Sequence, residues 1–172
     1  MKKTFLVLAA AAMIILGFTS CGGDKTYTEI LTEQTKGWVL SAATSEPGYL
    51  LNSGRTTANL MDGYLYEEEM DDIITFKENG IMTIDPGTKT AEDYGYQSTA
   101  IANWNLSADQ SKLNMQIPFF YDNSNMMYDA EVETCTISSL TNKDLVITYT
   151  FNDDEAPAKG TYTFTLTYVP AK

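Results

Sequence analysis

The segment GTYTFTLTYV, residues 160–169, alternates without a break. Tyr162, Phe164, Leu166 and Tyr168 fall on one phase, and Thr161, Thr163, Thr165 and Thr167 on the other. An extended chain, whose successive side chains point to opposite faces, turns a period of two into one apolar and one polar face. Aromatic rings and β-branched threonines both suit such a pleated, half-buried surface. A strand of this kind needs neighbours along its edges and a core beneath its aromatic face.

The same period recurs from Lys36 onward and predicts strands over 36–44, 72–78, 80–85, 98–106, 112–118, 130–138 and 144–152, eight with the last. Three connections are short: Glu78-Asn79-Gly80, SADQS and SLTNK. The Asn-Gly pair suits a tight hairpin because both residues tolerate positive φ. The other connections, 45–71, 86–97, 119–129 and 153–159, are longer. If consecutive strands are antiparallel neighbours, all long connections gather at one end and all short ones at the other. The expected fold is therefore all-β, an eight-stranded antiparallel up-and-down barrel with an open mouth and a closed base. A barrel of this size is either filled by side chains or holds one small ligand, and the sequence leaves both open. Ahead of the first strand, Thr26 and Glu29 have capping-box spacing, which predicts a short helix over 27–34 that must pack on something to be stable.

The chain begins with Lys2 and Lys3, an apolar run over 5–18 and small residues before Cys21, the three parts of an export signal. The run is shorter than the roughly 20 apolar residues that span a bilayer, so it reads as a cleaved leader, 1–20. Its loss takes the net charge from −12 to −14 by removing two lysines. Nucleic acid is then an unsuitable partner, because phosphate binding depends on lysine and arginine releasing counterions. The remaining 150 or so residues suit one domain.

The long connections are rich in Tyr, Phe and Met, and seven of the eleven tyrosines lie in them. Aromatic rings and adaptable methionines offer contact area to an apolar or amphipathic ligand. The candidate contacts are Tyr64, Tyr96, Phe120 and Met127 at the mouth, and Tyr162 in the interior. The same side chains could instead fold inward and plug the barrel, or serve as the contact surface of an accessory in an envelope assembly. YEEEMDD, 66–72, lacks the glycine turn and ligand spacing of a hard-cation loop and reads as a solvated face. No metal or cofactor is expected. The chain has no histidine, which removes Ser-His-Asp and Cys-His catalysis, and no glycine-rich phosphate loop, so the reading is not an enzyme. Cys135, in step with Ile137, reads as a small core residue.

Phe18-Thr19-Ser20-Cys21 resembles the lipobox of bacterial lipoproteins. The resemblance implies that Cys21 carries acyl chains, palmitate among them, and becomes the first mature residue, with 21–25 as a tether. Gly22, rather than Asp, implies the outer membrane and leaves its two faces undecided. An ordinary secretory leader, with Cys21 free to pair with Cys135, is the alternative. KGWVLSAAT, DDIITFKENGIMTID, NWNLSADQSKLNM, ISSLTNKDLVITYTF and YTFTLTYVP, in this order and spacing, resemble the lipocalin-like lipoproteins of Gram-negative bacteria over 26–172. In lipocalins proper a Gly-x-Trp opens the first strand and its Trp plugs the base. Here Gly37 and Trp38 are adjacent, and the resemblance implies the plug role for Trp38.

Overall fold

The computed structural model describes residues 25–65, 67–88, 99–116, 132–154 and 158–172. Among these, a short helix α1 (Tyr27–Glu33) leads into strands β1 (Trp38–Leu50) and β2 (Thr56–Asn59), a single helical turn α2 (Glu67–Met70), and strands β3 (Ile73–Phe76) and β4 (Ile81–Asp85). Strands β5 (Ala100–Leu106), β6 (Lys112–Gln116), β7 (Val132–Leu140), β8 (Leu145–Asp153) and β9 (Gly160–Pro170) follow. From β3 to β9 each strand pairs antiparallel with the next. The last returns to the first, from Trp38 opposite Pro170 to Glu46 opposite Thr163. Eight strands, β1 and β3 to β9, therefore close an antiparallel barrel.

Strand β2 is an arm on this barrel that the sequence does not announce. The edge of β1 away from β9 pairs with β3 only at Trp38 and Val39, and with β2 from Thr44 to Leu50. Between those partners the wall has no ladder, and residues 60–65 and the α2 turn lie against β1 there. The Leu60 amide donates to the Ala43 carbonyl at 2.9 Å, and Leu60 and Leu65 are buried.

The inward phase of each strand supplies the core: Leu145, Ile147 and Tyr149 on β8, and Tyr162, Phe164, Leu166 and Tyr168 on β9. Phe76 and Trp104 meet edge to face at 5.2 Å. Burying a side chain of this size contributes about 1.5–3 kcal/mol, so the described interior is held largely by bulky apolar contacts.

At the base lie the short turns and α1. Thr26 and Glu29 form the expected capping box, and the helix ends at Glu33, one residue earlier than expected. The Tyr27 amide donates to Gln110 Oε1 in the β5–β6 turn, and Gln34 Nε2 donates to the Asn142 carbonyl in the β7–β8 turn. The β3–β4 turn corrects the expected Asn-Gly geometry. Gly80 takes a φ of +77°, whereas Asn79 does not turn positive, and Gly80 N–H closes on Lys77 O at 3.0 Å. This is a three-residue loop ending in a glycine bulge, in which Asn79 Oδ1 accepts from the Ile81 amide instead of its backbone inverting.

Candidate functional site

At the mouth, β1 runs six residues beyond its expected end and carries Tyr49 inward against the first turns of β9 and the last of β8. The Tyr49 ring lies 4.6 Å from that of Tyr64, edge to face, and 4.9 Å from that of Tyr162. Phe164 stands below, 5.8 Å from Tyr64, 5.1 Å from Phe151 and 5.6 Å from Tyr149. Edge-to-face pairs at these separations are favoured by the ring quadrupoles and hold the cluster as one unit. The Tyr49 hydroxyl donates to the Asp153 carboxylate, and Tyr162 donates to the Ala158 carbonyl. Burial, reinforced by the bond to Asp153, pushes the Tyr49 hydroxyl well above the usual phenol range.

Beside the cluster opens a cleft of about 610 Å³, walled by Tyr49, Leu51, Arg55, Tyr64, Leu65 and Glu69 among others. It lies between the end of β1 with its connection to β2 and the segment from Gly63 to Leu65. Arg55 donates to the Asp62 carboxylate and carbonyl at 2.9 and 2.8 Å, which fixes the outer lip. Glu69 is 4 % exposed and Asp72 only 3 %, so the reading of 66–72 as a solvated face is corrected for these two residues, although Glu67 is exposed. The cause is the gap in the wall: the segment that fills it must turn one side inward. Asp72 is in step with the inward Ile74 and Phe76.

The structure thus brings Tyr64 and Tyr162 into one cluster, both touching Tyr49 and Phe164. Trp38 is at the opposite end, fully buried, with its indole N–H donating to the Leu31 carbonyl at 3.1 Å. Tyr96, Phe120, Met127 and Cys21 lie outside the described residues. Sequence reasoning placed Phe164 on the apolar face of its strand but missed Tyr49 as a strand residue, Glu69, and the inward Tyr149 and Phe151. The last two continue the strand alternation and could have been found by extending it to the mouth; Glu69 gives no such signal. Cys135 is a free thiol, fully buried, pushed up to about 12 by burial and by Glu133.

No protein-family model and no curated protein matches the chain. Among solved structures, a complex of the bovine odorant-binding protein with undecanal aligns with a TM-score of 0.42 at 13% identity, covering 88% of this chain and 77% of that one. The same bovine protein with a selenium-containing odorant gives 0.43 at 13% identity, over 88% and 76%. Its deswapped triple mutant gives 0.40 at 14% identity, over 81% and 74%.

Proposed function

We propose that this chain is an outer-membrane lipoprotein whose barrel, 26–172, binds a small apolar or amphipathic ligand at its aromatic mouth. The observation that carries the binding reading is the 610 Å³ cleft walled by Tyr49 and Tyr64, whose rings pack in turn on Tyr162 and Phe164. Its volume exceeds the roughly 300 Å³ at the low end of ligand pockets. Of the proposed contacts, Tyr64 lines the cleft and Tyr162 packs behind Tyr49, and Tyr96, Phe120 and Met127 remain part of the proposed mouth. The anchoring reading rests on the sequence: leader 1–20, acylated Cys21 and tether 21–25. Since α1 and the start of β1 are at the base, a tether entering there turns the mouth away from the anchoring membrane.

Native mass spectrometry of the protein purified from its own envelope tests the binding reading, with a co-purifying small molecule as the expected result. For the anchor, Cys21→Ser releases the protein to the soluble fraction; unchanged membrane association contradicts it.

A second reading, an accessory of an envelope assembly, is favoured by two exposed apolar residues on the outer face near the mouth, Ile101 at 75 % and Val132 at 58 %. A protein partner in the same spectra, lost when both residues become serine, would favour it over ligand binding.

A further inference from the structure

The residues around the cleft fall into two sets. One is apolar, with Leu51 and Leu65 both buried and the rings of Tyr49 and Tyr64 beside them. The other is polar and belongs to the turn from Leu51 to Arg55. The Leu51 amide donates to the Arg55 carbonyl at 2.9 Å and the Gly54 amide to the Leu51 carbonyl at 2.8 Å, which leaves Asn52 and Ser53 exposed at the tip. Arg55, the only arginine in the chain, closes this turn. Gly63 leaves the space that its guanidinium needs: a β-carbon there would stand 2.8 Å from Arg55 Nη2. Nη1 donates to the Asp62 carboxylate and Nη2 to the Asp62 carbonyl, so part of the guanidinium fork is used and the rest of its N–H groups remain open to a ligand.

A second observation lies on the aromatic side. The Tyr64 ring packs against Tyr49 and Phe164, yet its hydroxyl makes no hydrogen bond among the described residues. Burial, with the Asp153 and Glu69 carboxylates in reach, pushes that hydroxyl above the usual phenol range and keeps it a neutral donor and acceptor. The Asn52 side-chain amide is likewise unbonded among the described residues.

This lining suits a narrow class of ligand. A wholly apolar molecule filling the cleft would take water from the Tyr64 hydroxyl, the Asn52 amide and the open N–H groups of Arg55, and return no hydrogen bond. A charged head gains no countercharge at the lip, because Arg55 and Asp62 neutralise each other. Hydroxyls both donate and accept, and two neighbouring hydroxyls match the paired groups of a planar amide or guanidinium. A sugar ring carries such hydroxyls together with a C–H face that packs on aromatic rings. We propose that the ligand is an uncharged glycoside: Asn52, Arg55 and the Tyr64 hydroxyl hold the sugar ring, and its apolar substituent lies against Tyr49, Leu51 and Leu65. This rests on the ligand-binding reading above.

Calorimetric titration of the intact protein tests it, with the octyl glycosides of glucose, galactose and mannose below their micellar thresholds, and with octanol and octanoate. All carry the same chain, so only the head group differs. The best glycoside is expected to bind at least about tenfold tighter than octanol, a factor worth about 1.4 kcal/mol, or one to two net hydrogen bonds. Octanol or octanoate binding as tightly as the best glycoside overturns the glycoside assignment and leaves ligand binding standing; no binding of any of them overturns both. Asn52→Ala and Tyr64→Phe each remove one hydrogen-bonding group, the second without loss of its ring. Each should reduce the advantage of the glycoside severalfold while leaving octanol affinity unchanged. Because Asn52 is exposed, its variant keeps the test open should the tyrosine variant fail to fold. An advantage undiminished in the folded variants overturns the assignment.

Discussion

Gly37 joins α1 to β1 where three parts of the chain converge. Its φ is +82°, its amide donates to the Gln34 carbonyl at 2.7 Å, and its carbonyl accepts from the Ala171 amide at 2.9 Å. A β-carbon there would stand 2.5 Å from Ile73 Cγ2 and 2.7 Å from the Ile74 carbonyl oxygen. Positive φ and backbone contact both penalise any side chain, so Gly37→Ala is expected to cost about 1–3 kcal/mol in urea unfolding. A loss within error would contradict the close packing of β3 on this turn. A different residue sets the acid response. Asp109 accepts from the Ser107 hydroxyl and from both the amide and hydroxyl of Ser111, and those bonds hold its carboxyl down at about 2, from 3.8. A folded-state value below the unfolded one stabilises the fold above pH 3.8 and loses that contribution as pH falls toward 2. Wild type should therefore lose more stability over this window than Asp109→Asn, measured by urea midpoints at each pH. Equal losses would show that the turn does not discriminate the ionised carboxyl.

At the scale of elements, the helix that covers the base is only seven residues long and depends on its cap and its docking. Thr26→Ala removes the cap and is expected to cost about 1 kcal/mol. Trp38→Phe keeps most of the buried ring but strands the Leu31 carbonyl, which is otherwise bonded to the indole. Because that bond ties helix to barrel, the two losses should not add: a double-mutant cycle is expected to show coupling of at least about 0.5 kcal/mol. Strict additivity would mean that the helix and the tryptophan act separately. The helix was legible from the cap spacing, and all eight barrel strands from alternation, because each has one wet and one dry face. Strand β2 was not legible. TTAN carries no alternation of its own, and it exists because β1 extends past β3 and offers an open edge. The candidate site was partly legible for the same reason. Tyr162 follows from the pattern of β9, whereas the burial of Glu69 follows from a gap in the wall that no local pattern encodes.

For the whole molecule, closure between β1 and β9 is the decisive feature, since it pairs the first strand with the last from Trp38 to Glu46, whereas β1 meets β3 only at Trp38 and Val39. Cys135 reports on that closure. It lies on β7, remote in the sheet from the closing seam, with its thiol fully buried and pushed up to about 12. At pH 8 only about one thiol in ten thousand would be ionised even where reagent could reach it, since thiol reactivity belongs to the thiolate. Modification must then pass through a state in which the barrel has opened and the thiol has regained its ordinary acidity. If the eight strands open together, the labelling rate will rise with urea with the same slope as global unfolding. A shallower slope would mean that β6, β7 and β8 separate locally while the β1–β9 seam holds.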